Sequence, residues 1–123
     1  MACRILIVED EVLVRQMLTS ALNLRGYLVE TCTNGDTGLY QMKTCLYEVL
    51  ITDYHMPGMT GIQLIEGLRA AKLRIPTILM SGSAPEDLGL TARDLEGIEF
   101  LRKPFGIPEL HDAVQRALKS SSR

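Results

Sequence analysis

The 123-residue sequence lacks the features that mark membrane, disulfide-rich and nucleic-acid-binding proteins. It has no tryptophan and only three cysteines, Cys3, Cys32 and Cys45. Their odd number and irregular spacing predict free thiols in a reducing cytoplasm, without a metal framework. No apolar run approaches the roughly 20 residues of a membrane-spanning helix. The net charge is −2 and there is no block of Lys or Arg, so direct binding to nucleic acid is not expected.

Short apolar runs are present, and they predict five β-strands at residues 4–10, 28–33, 48–53, 76–81 and 98–103. The first, third and fourth runs are continuous in Ile, Leu and Val. Such runs are typical of strands that are buried on both faces of a parallel sheet.

Helical patterns lie between these runs and after the last one. They predict helices at 12–25, at 35–46, after Thr60, at 84–95 and at 107–119. In the first helix, the spacing favours one buried face, which consists of Leu13, Met17, Ala21 and Leu24. Thr60 with Gln63 and Ser83 with Glu86 have the spacing of capping boxes, so each pair predicts a helix start.

The alternation of strands and helices predicts one α/β domain over residues 1–119, followed by a flexible tail at 120–123. Regular alternation at this spacing implies right-handed crossovers, with helices on both faces of a parallel sheet. In such sheets, ligands bind in the crevice at the carboxyl ends of the strands.

Four of the predicted strands end in or just before polar side chains. Glu9 and Asp10 end the first strand, Asp53 the third, Ser81 the fourth and Lys103 the fifth. Each residue alone has an ordinary structural explanation, such as capping, a turn or exposure to solvent. Because parallel strands end at one edge, the set predicts a single cleft that contains all five side chains.

Three carboxylates in one cleft call for a cation, because two unit charges about 5 Å apart repel by roughly 3 kcal/mol at an effective dielectric near 20. Mg²⁺ suits such a site, since it prefers carboxylate oxygens and is typically held by one or two carboxylates with a phosphate. Lys103 and Ser81 carry donors that suit phosphoryl oxygens. Asp53, on the central strand, is the best placed nucleophile to form an acyl phosphate.

Four segments together resemble the receiver domain of two-component response regulators. They are "ILIVEDE" (5–11), "DYHMPGMTG" (53–61), "MSGS" (80–83) and "FLRKPF" (100–105). The resemblance implies a single (βα)5 flavodoxin-like domain with a five-stranded parallel sheet in the order 2-1-3-4-5.

The resemblance also implies a role for each site residue. Asp53 would be the phosphoacceptor, and Mg²⁺, or Mn²⁺ in its place, would be held by Glu9, Asp10, Asp53 and the backbone carbonyl of His55. Ser81 and Lys103 would bind the phosphoryl group, and Lys103–Pro104 would be a cis peptide. Ser81 and Phe100 would form the conformational switch. His55 and Ser83 flank the expected path of a hydrolytic water, where they could affect the lifetime of the phosphorylated state.

As a receiver, the protein would be a switch rather than an enzyme, limited to self-phosphorylation from a donor and slow autodephosphorylation. The phosphodonor would be a histidine kinase or histidine phosphotransferase. A downstream protein would dock on the face made by the fourth helix, the fifth strand and the fifth helix, and phosphorylation could drive dimerisation. The sequence fits a stand-alone receiver and a part of a larger chain equally well.

Two alternatives use parts of the same pattern. A haloacid dehalogenase-like phosphatase also combines a nucleophilic Asp with Ser or Thr, Lys and Mg²⁺. It would need a second acidic residue two positions after Asp53, where this chain has His55. A flavodoxin-like FMN carrier would need a Ser/Thr-rich phosphate loop after the first strand, where this chain has the anionic segment "EDE".

Overall fold

The computed structural model describes residues 3–121, which form five strands and four helices. The elements in chain order are β1 (Arg4–Val8), α1 (Val12–Asn23), β2 (Leu28–Cys32), α2 (Gly35–Thr44), β3 (Val49–Asp53), α3 (Gly61–Ala70), β4 (Thr77–Ser81), β5 (Ile98–Arg102) and α4 (Ile107–Ser121). No helix within residues 3–121 is long and apolar enough to cross a membrane.

The five strands form one parallel sheet in the order β2-β1-β3-β4-β5, so the predicted topology is confirmed. The central strands β3 and β4 are buried along their whole length. Asp53 pairs with Met80, and Ser81 pairs with Arg102. This register brings the carboxyl ends of β3, β4 and β5 to the same edge.

Helices cover both faces of the sheet, as predicted. On one face, α1 and α4 pack on Ile, Val and Met side chains of β1, β3 and β4, with Leu22 and Val114 among the buried contacts. On the other face, α2 and α3 pack on Leu6 and Leu50 through Met42 and Leu64. The α3 helix begins with the predicted capping box, in which Thr60 Oγ1 accepts from Gln63 N and Gln63 Oε1 accepts from Thr60 N.

The predicted buried face of α1 is wrong at three of its four positions, since only Ala21 is buried. Leu13 is 77% exposed, and Leu24, which follows the helix, is 88% exposed. The buried side chains are Leu18, Ala21 and Leu22. Apolar residues at helical spacing occur on two neighbouring stripes of this segment, and only the packing against the sheet decides which one faces inward.

The predicted helix at 84–95 is also wrong, because this segment forms a series of turns between β4 and β5. The segment contains two isolated helical turns. Each is closed by a long hydrogen bond of 3.3 Å, from Leu88 N to Ala84 O in the first turn and from Leu95 N to Thr91 O in the second. Gly89, with φ at +71°, separates them. No side chain between 84 and 97 is fully buried, and most helices need a buried apolar face for their stability. Residues 3–121 therefore contain four α-helices instead of the five predicted.

The predicted capping box of Ser83 and Glu86 does not form. The Ser83 amide instead donates to Ser81 Oγ, at 3.0 Å. At the C-terminus, α4 runs to Ser121 and takes in the first two residues of the predicted tail at 120–123. The other two residues of that tail lie outside the described part of the chain.

Candidate functional site

The carboxyl edge of the sheet brings the predicted acidic residues together. Glu9 and Asp10 lie just after β1, and Asp53 is the last residue of β3. One carboxylate oxygen from each of these side chains lies within 4.8 Å of the other two. Glu9 and Asp53 are buried, whereas Asp10 is exposed. Of these three carboxylates, Asp10 is therefore the one that is exposed to solvent.

Lys103 supplies the cation that this cluster needs. Its Nζ donates to Asp53 Oδ2 at 2.9 Å and lies 3.4 Å from Glu9 Oε1. Burial works to lower the pKa of Lys103, but the hydrogen bond and charge of Asp53, together with Glu9, outweigh it and raise that pKa. The ammonium therefore stays charged beside both carboxylates.

Glu9 is the carboxylate most affected by burial. Burial raises the pKa of Glu9 to about 7, and the negative charge of Asp53 acts in the same direction. The backbone amide of Glu11, which donates to Glu9 Oε2 at 3.1 Å, works against this rise in pKa, as does Lys103. A further positive charge at the site would relieve the same repulsion.

An open pocket of about 310 Å³ lies beside the acidic cluster. Its lining consists of Asp10, His55, Met56, Pro57 and Thr60. The structure thus places His55 and the exposed residue Asp10 in the lining of one pocket. The His55 ring is exposed and lies edge-on to the Tyr54 ring, with 4.8 Å between the ring centroids.

Ser81 and Lys103 are linked through the backbone, because Lys103 N donates to Ser81 O at 2.8 Å. The Ser81 side chain is fully buried, and its Oγ accepts from Ser83 N. Within residues 3–121, no hydrogen bond joins this hydroxyl to Asp53 or Lys103. The peptide bond between Lys103 and Pro104 is cis.

Phe100 lies in β5, where it pairs with Leu79, and is half-buried. Its neighbours Glu99 and Leu101 face α4. Glu99 forms an ion pair with Arg116, and Leu101 packs in the core cluster that includes α4. The alternation of side chains along a strand therefore points Phe100 toward the other face, which is covered by α3, and Arg69 of α3 bonds to the segment of turns at Asp94 and Glu96.

Arg15 is a site residue that the sequence reasoning missed. Its Nη1 donates to the carbonyl oxygens of Glu9 at 2.9 Å and Asp10 at 3.4 Å. The guanidinium thereby ties the first turns of α1 to the acidic loop. A basic residue about one helical turn after the acidic pair was the available signal.

Gly61 is a second missed residue, and its role is steric. Its amide donates to Tyr54 O at 2.9 Å, and a Cβ at this position would lie 2.5 Å from the backbone oxygen of Asp53. Only glycine allows α3 to begin so close to the end of β3. The signal was a glycine directly after the capping residue Thr60.

Comparisons with known proteins agree with this geometry. Residues 5–115 match the response regulator receiver domain family. The regulatory protein AtoC of Escherichia coli is 37% identical over 97% of this chain, which spans only 26% of AtoC. The chemotaxis response regulator CheY4 of Vibrio cholerae is 28% identical, with a TM-score of 0.85 over 96% of this chain and 100% of CheY4.

A further solved structure is that of the response regulator TrrA of Thermotoga maritima in complex with Mg²⁺-BeF. It is 28% identical, with a TM-score of 0.83 over 94% of this chain and 99% of TrrA. The family match, the parallel sheet and the acidic edge lead to one conclusion. This chain belongs to the receiver domain family of two-component response regulators, which are phosphorylatable signalling switches.

Proposed function

We propose that Asp53 accepts a phosphoryl group from a phosphohistidine donor in a reaction that requires Mg²⁺. The observation that carries this proposal is the contact of 2.9 Å between Lys103 Nζ and Asp53 Oδ2, within a cluster of three carboxylates. The match to the receiver domain family, whose members are signalling switches rather than ordinary enzymes, supports this proposal over the phosphatase and the FMN carrier.

The chemistry follows from these contacts. An oxygen of Asp53 forms a bond to phosphorus, while the bond between phosphorus and the donor's imidazole nitrogen breaks and the imidazole leaves with the electron pair. The Lys103 ammonium lies beside the nucleophile, where it can neutralise the negative charge of the phosphoryl oxygens. The same carboxylate would react with a small donor such as acetyl phosphate.

The donor set fits a hard divalent cation. Asp10, Asp53 and Glu9 offer carboxylate oxygens, and the backbone carbonyl of His55 is the further ligand that we propose. Such an all-oxygen set suits Mg²⁺, with Mn²⁺ as a substitute. When bound, the ion would neutralise charge on the carboxylates and on the phosphoryl group. The relative TrrA is described in complex with Mg²⁺-BeF, which supports this assignment.

We propose that Ser81 carries the signal away from Asp53. A phosphoryl group adds nearly two negative charges and several strong acceptors, so it can attract the Ser81 hydroxyl. The hydroxyl oxygen would then lose the hydrogen bond that Ser83 N donates to it, and the segment after β4 would shift. Phe100, half-buried on the face beside this segment, would move inward as the second part of the switch.

Partners follow from the family. The phosphodonor would be a histidine kinase or histidine phosphotransferase, and the free cysteines Cys3, Cys32 and Cys45 suit a cytoplasmic setting. The output face proposed from the sequence included a fourth helix that does not form. The corresponding surface would consist of the turns at 84–97, β5 and α4, on which a downstream protein or a second phosphorylated copy would dock. Slow autodephosphorylation, affected by His55 and Ser83, would end the signal.

Intact mass after treatment with acetyl phosphate and Mg²⁺ tests the acceptor. We expect one phosphoryl adduct on the parent, lost on treatment with hydroxylamine because an acyl phosphate is a mixed anhydride, whose carbonyl carbon hydroxylamine attacks with release of phosphate. Asp53→Asn should carry no adduct, whereas the exposed control Asp87→Asn should be labelled like the parent. Equal labelling of Asp53→Asn would refute the assignment.

A further inference from the structure

A second cavity lies at the edge of the sheet opposite Asp53. It is a groove of about 920 Å³ between the end of α3 and the starts of β4 and β5. Thr77 and Ile98, the first residues of these strands, contribute to its lining. Because the strands are parallel, their starts are separated from the carboxylate site by the length of the sheet. The groove is therefore a second feature of the domain, independent of that site.

The floor of this groove is apolar and open to solvent. Leu73, Ile75 and Ile98 line it and are only half-buried, above the fully packed Leu68. Covering half-buried aliphatic side chains with an apolar group of a ligand removes apolar surface from water, which favours binding. The floor can thus accept an aliphatic side chain.

The rim of the groove is cationic. Arg69, Lys72, Arg74 and Arg93 are exposed and line it together with Glu96, and the nearby Asp94 carboxylate interacts electrostatically with Arg69 and Arg93. Within residues 3–121, Lys72 and Arg74 have no hydrogen bond or ion pair from their side chains. The excess positive charge is notable in a chain whose net charge is −2.

The turns between β4 and β5 form one wall of the groove. Arg69 ties α3 to that wall, because its Nη2 donates to the carbonyl oxygens of Asp94 at 3.2 Å and Glu96 at 3.0 Å. This bridge uses the Arg69 guanidinium as a structural link. It leaves Lys72 and Arg74 on one wall and Arg93 on the other as the groups that can meet an anion.

We propose that this groove binds an acidic peptide segment of a partner protein, with an aliphatic side chain on Leu73, Ile75 and Ile98 and carboxylates beside Lys72, Arg74 and Arg93. We choose an acidic peptide as the occupant because its negative charge is complementary to the cationic rim. Among the described residues that line the groove there is no aromatic side chain, so a nucleotide base would find no ring to stack on. An acidic peptide that contains an aliphatic residue can pack on the apolar floor and pair its carboxylates with the cationic rim.

A titration followed by ¹H–¹⁵N NMR tests the proposal on the unphosphorylated protein, so its outcome does not depend on Asp53. The probe is a short acetylated peptide in which two leucines are flanked by glutamates. We expect saturable shifts of the Leu73, Ile75 and Ile98 amides, which weaken as salt is added. A peptide with lysines in place of the glutamates should give none.

Matched charge reversals complete the test. Arg74→Glu should weaken binding of the glutamate peptide about tenfold, whereas Lys43→Glu, an exposed reversal on α2, should leave it unchanged. The spectra of the free variants show that each is folded. The proposal is overturned by absent saturable shifts, by shifts centred elsewhere, by equal binding of the lysine peptide, or by equal effects of the two reversals.

Discussion

Lys103 and Asp53, separated by 50 positions in the sequence, form an ion pair of 2.9 Å at the carboxyl edge of the sheet. The pair is largely buried and is shared with Glu9. A cation in this position holds the carboxylates together before any phosphoryl group arrives. The same cation is available to the phosphoryl oxygens once Asp53 is modified.

We predict that Lys103→Met lowers the rate of phosphorylation by acetyl phosphate by about two orders of magnitude, the usual effect of removing one such donor. Mg²⁺ should still bind, because the substitution removes a competing cation from the carboxylates. Intact mass against time measures the rate, and calorimetric titration measures the affinity for Mg²⁺. Lys43→Met, on α2, is the control. A rate close to that of the control would contradict the role given to Lys103.

Asp10→Asn should separate charge repulsion from metal binding. Without Mg²⁺, we expect the variant to be more stable than the parent by about 1 kcal/mol, because one of three adjacent carboxylates is neutralised. With Mg²⁺, the parent should gain stability through binding and the variant much less. Urea unfolding followed by circular dichroism at both conditions measures this crossover. An equal gain in both proteins would exclude Asp10 as a ligand.

Ser81→Ala should uncouple modification from conformational change. We expect the variant to be phosphorylated, since its nucleophile and Lys103 are intact, but to show smaller phosphate-induced shifts in the NMR spectrum along 84–97. Ser83→Ala retains the backbone amide that bonds Ser81 Oγ and is the control. Shifts as large in Ser81→Ala as in the parent would show that Ser81 does not carry the signal.

Gly61→Ala should destabilise the fold by roughly 2 kcal/mol or more, because overpacking against a fixed backbone oxygen forces α3 or the end of β3 to move. The added Cβ would lie 2.5 Å from Asp53 O. At Gly82, a Cβ meets no atom within 4 Å, so Gly82→Ala serves as the matched control and should have little effect. Urea unfolding of both variants measures the difference. Equal stabilities would remove the steric explanation for Gly61.

His111 should make stability fall in mild acid. The ring is 8% exposed and its Nδ1 has no hydrogen-bond partner within the described residues. Burial, followed by the charge of Arg25, lowers the pKa of His111 below 6.5, while Asp112 acts in the opposite direction. The unfolded chain therefore binds a proton first, and stability present above pH 6.5 is lost as the pH falls.

Urea unfolding between neutral and mildly acidic pH measures this loss. His111→Phe should lose less stability over this range than the parent, and the exposed His55→Gln should behave like the parent. A pH dependence that is the same in all three proteins would mean that burial of His111 does not contribute to it.

The sequence predicted most of the site because the site follows from topology. Continuous Ile, Leu and Val runs identify β1, β3 and β4, and their ends place Asp10, Asp53 and Ser81 at one edge without knowledge of any long-range contact. The contact between Lys103 and Asp53 then follows from β5 lying in the same sheet. Arg15 was missed because a helical arginine has many available partners, and only the folded loop selects the carbonyl oxygens of Glu9 and Asp10.

The parts that failed depend on packing. Leu13 and Leu18 lie on neighbouring stripes of α1 that are both apolar, and periodicity alone does not say which one meets the sheet. The segment 84–95 carries a capping pattern, but Gly89 interrupts it and no face of it is buried. An N-terminal capping residue contributes about 1 kcal/mol to the stability of a helix, which is too little to maintain the helix without tertiary contacts.

Chemical trapping of the phosphorylated residue tests the central claim most directly. Borohydride reduces an aspartyl phosphate to homoserine, and tandem mass spectrometry then locates the changed residue in the chain. After treatment with acetyl phosphate and Mg²⁺, we predict homoserine at position 53, and no homoserine when Mg²⁺ is withheld. Homoserine at position 10 or at any other aspartate, with Asp53 unchanged, would contradict the account.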